Sequence, residues 1–421
     1  MKKVDILLKG AGTVHTCSGA APKRRDSLLD TGSVKGGVIA VVGDRIAFVG
    51  IEEELVLAGL TISNETTVLD CRGGDVVPGF VDSHTHLIWE GDRKPEFARL
   101  LRGESYESIT AEGGGINTTV SATRNASLDQ LVASGRNRLK RMLEYGTTTV
   151  ESKSGYALNT EGEMRLLEAM KVLMDESPQT IVPTFLGAHL VPREYSDNRE
   201  EYVRILLDEM LPRVASLGYV RFNDVFMERG AFNRAETERI LRRGIQLGLR
   251  PRLHADELSD TGAAALAVEL GSASCDHLEC ISDESIALLA GSSTVATLMP
   301  GTSFYLNLPS HAPFRKLFEA GCAIALATDF NPGTSPSLSL QGAFTLAVLE
   351  MRMPIEAALN AMTINAAYSL GLDSEVGSIE VGKRADLVIL KSTPVDMAYH
   401  WGENAVAAVV CGGRLFIETK E

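Results

Sequence analysis

Pro78-Gly79-Phe80-Val81-Asp82-Ser83-His84-Thr85-His86 is the stretch whose reading decides the fold. The apolar run Val76–Asp82 ends on two histidines spaced i, i+2. In a strand such residues point to the same face. Both imidazoles therefore look out of one strand end and can share one metal ion. Strand C-termini that carry the chemistry are the habit of (β/α)8 barrels.

Further short apolar runs follow at Thr147–Ser152, Thr180–Leu186, Arg221–Met227, Arg250–His254, Ala273–His277, Thr294–Met299 and Ala323–Thr328. Amphipathic stretches such as Glu161–Met174 and Leu206–Leu217 lie between several of them. Eight β-then-α units make a TIM barrel, and residues 75–374 are assigned to it. Both ends of the chain are instead strand-rich. Val38–Val42 and Arg45–Val49 flank Gly43-Asp44, a hairpin signal. Ala385–Leu390 and Ala405–Val410 precede a Gly412-Gly413 turn into Arg414–Ile417. Residues 1–74 and 375–421 are expected to pair into one small β-sandwich domain. Residues 18–36 are polar and Gly-rich and read as a mobile loop.

A length of 421 residues suits a barrel of about 250 residues plus such a domain. Lys and Arg total 41 against 55 for Asp and Glu, a net charge of −14. That argues against a nucleic-acid partner, which needs a basic surface. It leaves room for a small anionic substrate, because a nearby Arg outweighs a distant net charge. Asp5 and Lys9 interrupt any apolar signal segment, and no apolar run reaches the roughly 18 residues of a membrane helix. The six cysteines form no CxxC pair and read as reduced. The expectation is a cytoplasmic protein with no membrane partner.

His254 ends the fifth run, His277 the sixth and Asp329 the eighth. With His84 and His86 they offer the three histidines and one carboxylate that suit zinc, or iron in its place. Water on such an ion has a pKa near ~7. A lone histidine is ordinarily a core or surface residue, and His15, His311 and His400 are read that way. HxH alone is weak; HxH on the first strand, His on the fifth and sixth and Asp on the eighth, in that order, is specific.

These residues resemble the amidohydrolase superfamily and, within it, the imidazolonepropionase family. The broad marks are residues 78–86 and the tail Gly377-Ser378-Ile379-Glu380-Val381-Gly382-Lys383-Arg384-Ala385-Asp386-Leu387. Narrower marks are Gly91-Asp92-Arg93 with Glu96-Phe97, Gly113-Gly114-Gly115-Ile116, Glu151-Ser152-Lys153-Ser154-Gly155-Tyr156 and Thr184-Phe185-Leu186-Gly187-Ala188-His189. His254-Ala255-Asp256-Glu257, Asp276-His277-Leu278-Glu279 and Ala327-Thr328-Asp329-Phe330-Asn331-Pro332-Gly333-Thr334-Ser335-Pro336 complete the set. They span nearly the whole chain in order; residues 18–36 are the part without a match.

The resemblance implies hydrolysis of the cyclic amide of 4-imidazolone-5-propanoate to N-formimidoyl-L-glutamate in histidine degradation. It also implies a homodimer and one zinc or iron ion per chain, held by His84, His86, His254 and Asp329. Many binuclear relatives bridge two metals with a modified Lys at the fourth strand end. Here that strand ends Phe226-Met227-Glu228, while Lys153 lies on the second. For substrate, Arg93 suits the propionate. Tyr156 and His189 end the second and third runs, and Asn331, Gly333 and Thr334 follow Asp329 in the eighth loop. Gly113–Gly115 lacks the Gly-Lys-Ser/Thr of a phosphate loop and reads as a flexible lip. Glu257, His277 and Asp329 are the expected acid–base groups, with His277 facing the water rather than the metal. The alternatives are a neighbouring amidohydrolase, such as an aminohydrolase of a purine, pyrimidine or guanidine-like ring, which would keep the same metal set and change Arg93, Tyr156 and His189, and a scaffold without catalysis.

Overall fold

In the computed structural model, which describes residues 2–104, 112 and 114–418, eight parallel strands form the central sheet in sequential order. They are β1 (Phe80–Asp82), β2 (Thr147–Lys153), β3 (Thr180–Ala188), β4 (Phe222–Met227), β5 (Arg250–Ala255), β6 (Ser274–His277), β7 (Val295–Leu298) and β8 (Ala323–Leu326). Nearly every strand residue is buried, as expected where helices cover the outside and side chains fill the inside. The helices between them begin on side-chain caps. Ser127 with Gln130 starts Leu128–Glu144, and Asn233 with Glu236 starts Arg234–Gln246, each supplying acceptors that the first helical amides lack.

The run Val76–Asp82 divides at Gly79. Val76–Pro78 pairs with Leu387–Leu390 in a terminal sheet, and Phe80–Asp82 opens the barrel. A Cβ at Gly79 would collide with the Thr148 hydroxyl, so the crossing between the two sheets needs glycine. At the other end of β1 the barrel closes through loops. The Asp329 amide donates to His84 O at 3.1 Å and the His86 amide to Phe330 O at 2.9 Å. The closing bonds thus join the two segments that carry the HxH pair and the aspartate.

Inside the barrel the side chains are layered. Val81, Val182, Phe222, Val295, Ala323 and Ala325 form an apolar floor against Ala366, Ala367 and Leu370. Above them lies a fully buried charged layer: Glu151 and Lys153 on β2, Asp224 on β4, Arg252 on β5 and Asp276 on β6. The histidines sit on top.

The chain ends form two sheets over a shared core. One has six strands, ordered Arg414–Glu418, Val406–Cys411, Leu387–Leu390, Val76–Pro78, Thr13–His15 and Ser33–Lys35; the other has four, Arg45–Gly50, Val38–Val42, Ile6–Lys9 and Thr67–Asp70. Ile6, Leu8, Ile39 and Val41 from one meet Val14, Leu387, Ile389 and Val410 from the other. The Gly43-Asp44 hairpin forms as expected, with Val38 opposite Gly50.

The expected mobility of residues 18–36 is corrected. This segment contains a short 3-10 helix, Arg25–Leu29, and a strand, Ser33–Lys35. Arg24 donates to the carbonyls of Ala290, Gly321 and Ser292 at 3.1, 3.0 and 2.6 Å. Asn360 donates to Leu28 O and Asp30 O, and Asn365 to Lys23 O. Leu28 is fully buried. The segment is a strap fixed to the barrel's outer elements.

Candidate metal centre and active site

The strand ends bring the predicted residues together. One ligand atom each of His84, His86 and Asp329 lies within 4.8 Å of the others, and His84, His254 and His277 form a second such group. Asp329 Oδ1 faces His84 Nε2 at 3.4 Å and His86 Nε2 at 3.5 Å. The His84 and His254 rings are 4.5 Å apart between centres. His84 Nε2 and His254 Nε2 are buried with no hydrogen-bond partner among the described residues. Orphaned imidazole nitrogens beside a carboxylate are what a divalent cation completes, so the residues fit a metal. Burial holds the pKa of His86 and of His254 down to about 4. Both rings are therefore neutral, the form that binds metal.

The charged layer holds these histidines from below. His84 Nδ1 donates to Asp276 Oδ2 at 2.7 Å. His254 Nδ1 lies 3.1 Å from Asp224 Oδ2, off the axis of an aligned hydrogen bond. Lys153 Nζ donates to Glu151 Oε1 at 2.9 Å and Asp224 Oδ2 at 2.8 Å. Arg252 donates to Asp276 at 3.2 Å and to Ser83 O at 2.8 Å. Burial alone would lower the Lys153 pKa, but Asp224 and Glu151 raise it, so it stays an ammonium. Histidine ligands held from behind by carboxylates keep a fixed tautomer and gain basicity.

A cavity of about 600 Å³ opens above the cluster. Its walls include His86, Arg93, Tyr156, His189, His254, Glu257, His277, Asp329, Asn331, Gly333 and Thr334, so the predicted site residues other than His84 line one space. Arg93 Nε pairs with Glu96, which is itself held by the Thr118 hydroxyl and the Gly115 amide. A Cβ on Gly333 would sit 3.1 Å from Arg93 Nη1; the eighth loop packs that close to the guanidinium. Gly113 lies outside the described residues, while Gly115 precedes the helix Ile116–Asn125 whose Ile116 and Asn117 line the cavity.

His189 Nδ1 donates to Gly155 O at 3.0 Å, which turns Nε2 away from that bond. Its ring stacks on His86 at 5.2 Å and meets Tyr156 at 5.3 Å. Asn331 Oδ1 accepts from the Gly333 and Thr334 amides, and its Nδ2 donates to Asp329 Oδ2 and Thr334 Oγ1. Its carboxamide therefore shapes the loop and holds the aspartate. Asp329 Oδ2 also accepts from Thr302 at 2.7 Å.

His277 lies between two carboxylates, with Nε2 3.7 Å from Glu257 and Nδ1 3.8 Å from Glu279. Burial works against its charge, yet Glu257, Asp329 and Glu279 push its pKa up to about 9. Burial in turn raises the Glu257 carboxyl and pushes Glu279 up to about 7. Asp256, His277, Leu278 and Asp329 all have φ between 50° and 85°. Such left-handed non-glycine residues cost about 1–3 kcal/mol each and cluster at functional sites.

The charged layer, Glu279, Thr302, Glu228 and Arg229 escaped the sequence. Lys and Asp in a strand have no pattern that separates a barrel interior from a solvated face. Glu151, Lys153, Asp276 and Glu279 do sit in the motifs Glu151-Ser152-Lys153-Ser154-Gly155-Tyr156 and Asp276-His277-Leu278-Glu279, but a motif alone assigns them no role.

An amidohydrolase family model matches residues 76–416. An imidazolonepropionase of Symbiobacterium thermophilum is 48% identical, covering 99% of this chain and 98% of its own. One of Alkaliphilus metalliredigens is 41% identical, covering 99% and 98%. Among solved structures, an adenosine deaminase of Xanthomonas campestris with bound zinc superposes with a TM-score of 0.69, covering 99% of this chain and 94% of that one. At 18% identity that likeness shows the fold.

Proposed function

The chain belongs to the amidohydrolase family, and on that premise we propose that it hydrolyses the ring amide of 4-imidazolone-5-propanoate to N-formimidoyl-L-glutamate in histidine degradation. The observation that carries this substrate is 48% identity to an imidazolonepropionase over 99% of the chain. The cavity supports it by placing Arg93 and the His/Asp cluster on one space.

The family and the histidine–aspartate group call for a divalent metal. We assign one zinc or iron ion to His84, His86, His254 and Asp329. When bound, it supplies hydroxide at neutral pH and polarises the carbonyl. The protein's own groups do the rest. Arg93 holds the propionate through its Nη edge while Glu96 fixes Nε. Tyr156 and His189 bound the ring, and the eighth loop closes on it through Gly333 and Thr334. Glu257 accepts from a ring N–H. Asp329 Oδ2 already accepts from Thr302 and Asn331, which leaves proton movement mainly to His277 Nε2 and Glu257. Asp329 contributes the charge that keeps His277 protonatable.

We further assign the chemistry to residues 75–374, with 1–74 and 375–421 bracing them, in a cytoplasmic homodimer. No helix among the described residues is long and apolar enough to cross a membrane. Turnover by metal-loaded protein tests the substrate. Imidazolone propionate should exceed every other cyclic amide or amidine in a panel by orders of magnitude in kcat/KM. A purine, pyrimidine or guanidine-like ring turned over faster would replace this assignment with an aminohydrolase.

A further inference from the structure

Two guanidinium groups line the cavity above the histidine cluster, Arg93 and Arg229. Arg93 is tied to Glu96. Arg229, in the loop after β4, is exposed, and its side chain has no hydrogen bond or ion pair among the described residues. Its neighbour Glu228 does not neutralise it. That carboxylate accepts from the Arg229, Leu258 and Ser259 amides at 2.8, 2.9 and 3.1 Å, and from the Ser259 hydroxyl. Arg229 also lines a second cavity of about 350 Å³, which shares Glu228, Arg229, Gly230 and Ala231 with the first. The other arginines there are committed, Arg199 to Glu236 and Arg234 to Glu269. Arg229 is thus an uncommitted cation where the two cavities meet.

The proposed reaction changes the number of anions. The substrate brings one carboxylate, its propionate. On ring opening, water adds OH to the acyl carbon, the C–N bond breaks, and a proton goes to the leaving nitrogen. The new carboxylic acid gives its proton to the amidine, so a second carboxylate and a formamidinium appear. Arg93 is assigned to the carboxylate present throughout; the new one arises only on ring opening.

We propose that Arg229 is a product subsite that takes the carboxylate created by ring opening and guides it out through the space shared by the two cavities. This rests on the function proposed above and goes beyond it, because Arg229 discriminates product from substrate. A guanidinium–carboxylate bond is charge-assisted, and its loss reads on the order of 10- to 100-fold in affinity.

The test is calorimetric binding to metal-loaded wild type and Arg229→Ala. The ligands are N-formimidoyl-L-glutamate and its analogue with the α-carboxylate replaced by a carboxamide. The substitution removes no side-chain bond among the described residues, so the variant should fold, which circular dichroism checks. Wild type should prefer the dicarboxylate, and Arg229→Ala should lose about tenfold or more of that preference, with the KM for imidazolone propionate moving less than about threefold. An unchanged preference overturns the subsite. A KM that rises as far as the product affinity falls also overturns it, since Arg229 then holds the propionate. Because binding needs no turnover, failure of wild type to open imidazolone propionate counts against the proposed function alone.

Discussion

His84 Nδ1 and Asp276 Oδ2 are 2.7 Å apart, and the same oxygen receives Arg252. A carboxylate only accepts, so the His84 proton sits on Nδ1 and its Nε2 lone pair faces the cluster. Asp276→Asn keeps the shape and removes the charge that fixes this tautomer. Metal affinity should fall about 10- to 100-fold, read by competition with a chelator. An unchanged affinity would mean that the strand alone orients His84.

Removal of any assigned ligand should remove metal and activity together. His84→Ala, His86→Ala, His254→Ala and Asp329→Ala each delete one corner of the cluster. Elemental analysis should find about one ion in wild type and much less than one in each variant. Lys153, buried beneath the histidines, is held by Glu151 and Asp224, so it is not free to bridge two metals. A reproducible two ions per chain would refute the mononuclear assignment.

Arg93→Ala should raise KM for imidazolone propionate and leave an analogue without the carboxylate bound about equally by wild type and mutant. A lost charge-assisted pair corresponds to roughly 1.5–3 kcal/mol. Equal discrimination by the carboxylate in both proteins would move the anchor elsewhere in the cavity.

The barrel was legible because its strands are short, mostly apolar runs, and those of β1, β5, β6 and β8 lead into the polar residues His84, His254, His277 and Asp329. Local sequence carries that pattern. The strap at residues 18–36 was not legible. Its order depends on partners 266 to 342 residues away, such as Arg24 with Ala290 O and Lys23 with Asn365, and composition sees only polarity and glycine. Arg24→Ala should therefore leave two or three carbonyls without a donor. That costs about 1–3 kcal/mol for each carbonyl that stays buried, seen as a lower midpoint in denaturant with kcat unchanged. An unaltered midpoint would show that water replaces the guanidinium without penalty.

His277 tests whether proximity makes a ligand. Its ring is within reach of His84 and His254, so distance alone does not exclude it from the metal. The surroundings of its nitrogens decide differently. Nε2 faces Glu257 and Nδ1 faces Glu279, at 3.7 and 3.8 Å, and Ser303 holds Glu279 from behind at 3.0 Å. Those carboxylates favour a protonated ring, whereas burial keeps His86 and His254 neutral. The proposed set already takes four ligands from β1, β5 and β8 and the loops that extend them, and a catalytic site must still admit water. His277→Ala should accordingly keep most of its metal and lose on the order of 10²–10⁴-fold in kcat, as for a removed acid–base or oxyanion donor. Glu279→Gln should move the same way but less, because it leaves the imidazole in place. Metal lost from His277→Ala in proportion to its activity would make it a ligand, and would pass the proton to Glu257.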